Sequence, residues 1–186
     1  QKLEEKGYLV GLLAKDLKVK AADILDFDLF LYEYEKGSLI GAREEFISAG
    51  RIDNLGSVLA SVSALCEVKK PAATCVVAAF DHEECGSSTR QGADSEILAE
   101  LLERIVIATG GGRSDYFRAL ARSFIVSCDG AHAVHPNMGG KADPTSRPML
   151  NGGVVIKLSA NRSYTSDAVS GAAFMQVCEK AGVRVQ

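Results

Sequence analysis

The sequence predicts an α/β fold, a sandwich built on a mixed, mainly parallel sheet, and three observations predict it. Short continuous apolar runs, TCVVAAF (74–80) and SFIVSCD (123–129), have the β-branched, bounded character of strands buried on both faces. Longer stretches between and around them place apolar residues three and four positions apart, the period of a helix. The two patterns alternate along the chain, as they do where helices cover a sheet. At 186 residues the chain is long enough for one domain with a sizeable core.

The elements follow in order. Residues 2–17 carry Leu3, Leu9, Val10, Leu12 and Leu13 as a helical stripe despite Gly7 and Gly11. ILDFDLFLYEYE (24–35) alternates, with Phe27, Leu29 and Leu31 on one face, and predicts a partly exposed strand. KGSLIGAREEFISAGR reads as a loop with a short apolar insert, closed by Gly50. From Asp53, the series Leu55, Val58, Leu59, Val62, Leu65 predicts a helix. After TCVVAAF, Ser95 is placed to cap a helix carrying Ile97, Leu98, Leu101, Leu102 and Ile105, which ends at Gly110–Gly112. Ser114 opens a shorter one through Tyr116, Phe117 and Leu120, leading into SFIVSCD. GVVIKLS (153–159) is a third strand, and Ser166 opens a last helix that ends near Gly182. There are no internal repeats.

Composition excludes several classes. A net charge of −3 with no block of like charge offers no nucleic-acid surface and no basic membrane patch. No apolar window reaches the roughly 18 residues a bilayer span requires. The first residues are too acidic and amphipathic for a secretory signal. Five scattered cysteines, none spaced CxxC, suit a reducing, cytoplasmic setting without disulfides or a thiolate zinc knuckle. GGGR (110–113) lacks the spacing and the lysine of a phosphate loop and reads as a helix-ending linker. The start at Gln1 and the end at GVRVQ, where a new apolar strand begins, are expected to be cuts through a longer chain.

Four carboxylates stand at the edges of core elements: Asp53 at a helix start, Glu83 and Glu84 just past one strand, and Asp129 at the end of another. Ligands of open α/β sheets bind beyond the carboxyl ends of strands, so the two clusters that close strands are expected to project into one crevice. Like charges gathered there need a countercharge, and one or two divalent cations are the simplest. Each carboxylate also has an ordinary role: Asp53 as an N-cap, the glutamate pair as a solvated turn, Asp129 as a turn former before Gly130. Spacing alone leaves both readings open.

Four segments resemble, in order and spacing, signature segments of the aspartyl aminopeptidase family of di-zinc metallopeptidases. They are RIDN (51–54), FDHEECGSS (80–88), SCDGAHAVHPN (127–137) and NGGVVIKLSANRSYTSDAVS (151–170). The resemblance implies removal of N-terminal residues, preferably Asp or Glu, from peptides. It implies a three-layer α-β-α sandwich, with residues 1–40 as the end of an inserted β-rich dimerisation domain and 41–186 as an incomplete catalytic domain. Asp53 would bridge two metals, Glu84 would bind one and Asp129 the other, and Glu83 would be the general base and acid. Zinc brings the pKa of bound water towards about 7, within reach of a glutamate base. Two zinc ions complete the family's site, with Mn or Co as possible substitutes. Lys157 would lie in the pocket for acidic side chains, with His132, His135 and Tyr164 contacting substrate. His82 would be structural, packed or hydrogen-bonded behind the glutamates. A non-proline cis peptide is implied at Asp53–Asn54. A large homo-oligomer is implied too, with peptides as substrates and neither nucleic acid nor membrane as a partner.

The family's two histidine ligands match no segment of this chain, so three of five protein ligands are expected here. Carboxylates alone would favour Mg, Mn or Ca over zinc. Cys85 stands where valine is common, a mild apolar exchange. The rival readings are a truncated, non-catalytic piece that keeps the fold, and a phosphoesterase using the same carboxylates with Mg, for which Arg51 and Arg90 are the available anion donors.

Overall fold

The structure is a computed structural model that describes residues 7–161 and 163–186. The chain divides into two compact units, Gln1–Gly50 and Arg51–Gln186. The expected helix over residues 2–17 is present from Tyr8 to Leu17 (α1), with Leu3 outside the described residues. It ends in a left-handed Lys18, and Val19 N–H returns to the Ala14 carbonyl at 3.0 Å. A 3-10 turn at Ala21–Asp23 follows, its Lys20 N–H bound to the Asp23 carboxylate at 3.2 Å.

Residues 24–35, expected to be a strand, carry no ladder. Pairing falls in the following segment instead, which the sequence presented as a loop. Ser38–Ile40 (β1) and Phe46–Ser48 (β2) form an antiparallel hairpin, with Leu39 opposite Ile47. The turn needs Gly41 at φ 99° and Glu44 at φ 55°, and Glu44 N–H closes onto the Gly41 carbonyl at 3.3 Å. Two short runs with apolar pairs, Leu39–Ile40 and Phe46–Ile47, around a glycine-containing connection are a hairpin signal, and the alternation of 24–35 outweighed it.

In the second unit, α2 runs from Ile52 to Glu67, α3 from Ile97 to Ala108, α4 from Arg113 to Ala121 and α5 from Ala168 to Lys180. All four fall where the sequence put them, α2 to α4 from their apolar period and α5 from its flanking Ser166 and Gly182, but their starts use different residues. Asp167, not Ser166, caps α5 by accepting Ser170 N–H at 2.7 Å. In α4 the Asp115 carboxylate reaches back to Gly112 N–H at 2.8 Å. Ser95 makes only a 3.5 Å contact with Ile97 N–H. α3 packs on α4 across a tight corner where a Cβ on Gly111 would stand 2.7 Å from Val106 Cγ1. Tyr116 is buried there, its ring 5.3 Å from Phe117, and Arg113 lies over Phe117 at 5.8 Å.

The expected multi-stranded sheet is absent from the described residues, whose only sheet is the β1–β2 hairpin. Residues 74–80 and 123–129 carry no ladder, and Val76, Phe124, Ile125 and Val126 are exposed rather than buried on both faces. Residues 153–159 keep one fragment of parallel pairing, a bridge from Val154 to Val185. Ile156 N–H binds the Gln186 carbonyl at 2.9 Å beside it. An apolar run encodes a preference for extended chain, but a strand also needs a neighbour whose N–H and C=O groups answer its own. Among the described residues the buried apolar ones are few, Ala14, Tyr116 and Cys178. Among the described residues no helix is long and apolar enough to cross a membrane.

Candidate functional site

Asp53 lies in the first turn of α2 but does not behave as an N-cap. Arg51 precedes it with left-handed φ of 58°, and Asp53 itself has ψ of 110°, so the regular helix begins after it. The Asp53–Asn54 peptide is cis, as the resemblance implies. Both side chains are turned to the segment after residues 123–127. Asp53 Oδ1 accepts the Gly130 N–H at 3.1 Å, and the Asn54 amide donates to the Cys128 carbonyl at 2.6 Å. A Cβ on Gly130 would stand 2.8 Å from Asp53 Cγ, so a residue without a side chain is what lets the carboxylate approach.

Asp129 joins the same constellation. Lys157 donates to its carboxylate and, at 2.6 Å, to the Gly130 carbonyl. The hydrogen bond from Lys157 holds the Asp129 carboxyl below the usual carboxylate range, against some desolvation. The lysine's charge, Gly130 N–H and Asp53 lower it further. Lys157 is half-buried and Asp129 exposed, so solvent screens the attraction and the pair counts chiefly as positioning. Asp53, Asp129 and Lys157, far apart in sequence, thus meet around one glycine.

Glu83 and Glu84 occupy a different place. They form an exposed turn, 83–86, closed by Gly86 N–H on the Glu83 carbonyl at 2.9 Å. Neither carboxylate has a polar partner among the described residues. His82, before them, is left-handed at φ 60°, and its Nδ1 lies 2.7 Å from Thr89 Oγ1. His132 is exposed and unpartnered among the described residues. The His135 Nδ1 accepts Asn137 N–H at 3.1 Å, capping the 3-10 turn Pro136–Lys141. Tyr164 lines an apolar cavity of about 630 Å³ with Ile156, Leu158, Met175 and Val185. Lys157, between two of those lining residues, is turned instead to Asp129.

Among the described residues no three His, Cys, Asp or Glu side chains gather closely enough to hold a metal ion. Asp53 and Asp129 converge, the glutamates do not join them, and Lys157 already supplies Asp129 with a positive neighbour. By themselves these residues do not fit a metal centre. Sequence reasoning named Asn54 and Gly130 only for a cis peptide and a turn, not for their bonds between the start of α2 and residues 128–130, and it did not single out Thr89, the partner of His82. Gly130 alone carried a signal, a glycine directly after a strand-ending aspartate.

The family described as aminopeptidase I zinc metalloprotease (M18) matches residues 1–186. A probable M18 family aminopeptidase 2 of Clostridium novyi is 56% identical over 185 residues, covering 100% of this chain and 43% of that protein. Aspartyl aminopeptidase 4 of Saccharomyces cerevisiae is 40% identical, covering 96% of this chain and 39% of that one. Among solved structures, the cryo-EM complex of Ape4 and Nbr1 matches with TM-score 0.85 and 35% identity, over 100% of this chain and 38% of that chain. The S. cerevisiae mApe1 dodecamer matches with TM-score 0.79 and 27% identity, over 96% and 42%. The chain therefore spans less than half the length of the relatives it matches. Matched from end to end by the family's description and more than half identical to one of its bacterial members, the chain belongs to the aminopeptidase I zinc metalloprotease (M18) family.

Proposed function

We propose that this chain is most of the catalytic part of a metal-dependent aminopeptidase that removes N-terminal residues, preferably Asp or Glu, from peptides. The observation that carries the proposal is the Asp53–Gly130–Asp129–Lys157 constellation, which is held by side-chain bonds across distant segments rather than by local turns. In the whole protein Asp53, Glu84 and Asp129 would be this chain's contribution to the ligand set of a two-zinc site, with Mn or Co as substitutes; as the structure has them, they do not gather into one. The remaining ligands come from outside the described residues. Glu83 is the proton carrier: an exposed carboxylate with no polar partner among the described residues can take a proton from the attacking water and later pass it to the leaving amine. Lys157 gives acidic side chains a cation to meet, and His132, His135 and Tyr164 contact the substrate.

The finer architecture belongs to the same proposal. In the whole protein, residues 74–80, 123–129 and 153–159 are strands of the central sheet of a three-layer α-β-α sandwich. Residues 1–40 end an inserted dimerisation domain, and 41–186 form the catalytic part. The assembly is a cytoplasmic homo-oligomer, a reading supported by the dodecameric state of the mApe1 relative. The test is hydrolysis of Asp-, Glu- and Leu-anilides by the intact protein before and after metal chelation. Loss on chelation, recovery with zinc and a preference for the acidic substrates are expected. Activity indifferent to chelation, or absent with zinc restored, would sink the proposal.

A further inference from the structure

Two adjacent glutamates with no polar partner among the described residues pose a question of aim. Nothing bonded to their carboxylates fixes where they stand, so their direction is set by the backbone of the loop that bears them. That loop is closed twice by main-chain bonds near its ends: Asp81 N–H to the Gln91 carbonyl at 3.2 Å and Asp94 N–H to the Ser87 carbonyl at 3.2 Å. Within it, Ser87 N–H returns to the His82 carbonyl at 2.9 Å, so the turn carrying both glutamates hangs from His82.

His82 holds a backbone conformation that residues with a Cβ seldom adopt, φ 60°. A strained residue persists where its surroundings over-determine it. Two side-chain bonds hold it: its backbone N–H donates to Asp81 Oδ1 at 2.8 Å, and across the loop its ring Nδ1 lies 2.7 Å from the hydroxyl of Thr89, where both residues are half-buried. A hydroxyl can donate or accept, so the bond forms with either ring tautomer. The other ring nitrogen is 3.7 Å from an Asp81 carboxylate oxygen, beyond hydrogen-bond reach, and contributes little to the clamp.

We propose that His82 is a positioning residue whose side-chain bond to Thr89 fixes the left-handed turn from which Glu83 and Glu84 emerge. It acts through those glutamates and touches neither substrate nor cofactor, and it rests on the proposed role of Glu83. The clamp joins the two limbs of the loop by a side-chain bond, while the main-chain closures lie to either side. Its loss leaves the loop in place and frees the aim of the pair.

The experiment uses the intact protein and Asp-anilide, with kcat and KM measured separately. Thr89→Val removes the hydroxyl at nearly constant volume and is expected to lower kcat about 10–100-fold, the usual cost of losing an orienting partner. KM is expected to stay within about twofold, because a mis-aimed proton carrier costs turnover rather than binding. Thr89→Ser restores kcat. His82→Asn restores most of it, since Asn tolerates the left-handed backbone and offers a polar atom to the hydroxyl. His82→Gly keeps the turn without the bond and behaves like Thr89→Val. Wild-type kcat in Thr89→Val, an equal loss in Thr89→Ser, or a loss confined to KM would overturn the proposal. If Thr89→Val does not fold, the contrast between His82→Asn and His82→Gly decides in the same way. Glu83→Gln separates the two layers. If it is fully active, the role of Glu83 is wrong; if it is inactive while Thr89→Val is unimpaired, only the clamp is wrong.

Discussion

Adding one methyl group at Gly130 asks whether Asp53 has to sit where it does. An ideal Cβ at that position would stand 2.8 Å from Asp53 Cγ and 2.8 Å from Oδ1. Carbon atoms in contact settle at ~3.5–4.0 Å, so the carboxylate would have to retreat by roughly 0.7 Å. Its bond from Gly130 N–H is already 3.1 Å long. A retreat of that size along the bond carries it past ~3.6 Å, where it no longer counts as a hydrogen bond. The perturbation is therefore confined to the carboxylate and the peptide it answers. Misplacement approaching ~1 Å at a reacting centre costs on the order of 10²-fold in rate. Gly130→Ala in the intact protein is expected to lower kcat on Asp-anilide by that order while its far-ultraviolet circular dichroism stays unchanged. A kcat within about threefold of wild type would refute the reasoning, since less than ~1 kcal/mol of barrier would then depend on Asp53's position.

Other expectations concern the loops and the response to acid. A Cβ on Gly92 would come within 1.9 Å of the Ser87 carbonyl oxygen, backbone that cannot swing aside. Gly92→Ala should therefore open the glutamate loop, destabilise the protein by about 1–3 kcal/mol as overpacking does, and depress turnover. Unchanged thermal stability would count against that contact. Asp115 is held below the usual carboxylate range chiefly by Gly112 N–H, with Arg118 second. A lowered folded-state pKa means stabilisation present above the unfolded value and lost as pH falls through the folded one. Asp115→Asn should therefore lower the melting temperature at neutral pH, and its deficit should shrink only in acid, below the ordinary aspartate range. A deficit that grows with acidity would reverse the sign.

How much of this was legible in the sequence depends on what each feature needs. Helices α2 to α4 were placed correctly because the apolar period is local, α5 was placed from its flanking Ser166 and Gly182, and the caps were missed by a residue or two. Ser166 and Asp167 stand side by side, and only geometry says which one accepts Ser170 N–H. Strands were not settled by their apolar runs, because a ladder belongs to two segments at once. Residues 74–80 and 123–129 have no ladder partner among the described residues, while the hairpin at 38–48 found one from its own turn. The site was legible by chemistry and not by contact. A lone Asp at a helix start is ordinarily an N-cap, yet Asp53 spends its carboxylate on Gly130. The glutamate pair takes the bland form the sequence also allowed, an exposed turn. The lysine inside GVVIKLS was expected to face acidic side chains of substrates, and in the structure it meets Asp129 instead.

That last contact is also where the central claim is most exposed to a single measurement. If Lys157 serves acidic substrates, its removal must discriminate between them and apolar ones. If it serves only Asp129, its removal must harm both alike. The measurement is kcat/KM of Lys157→Ala in the intact protein on Asp-anilide and Leu-anilide. A charge-assisted contact is worth about 1.5–3 kcal/mol, so a loss of roughly 10–100-fold is predicted for the Asp substrate. The Leu substrate should change by no more than about threefold. Equal losses on both would contradict the account, removing Lys157 from substrate selection and leaving it as the neighbour of Asp129 alone.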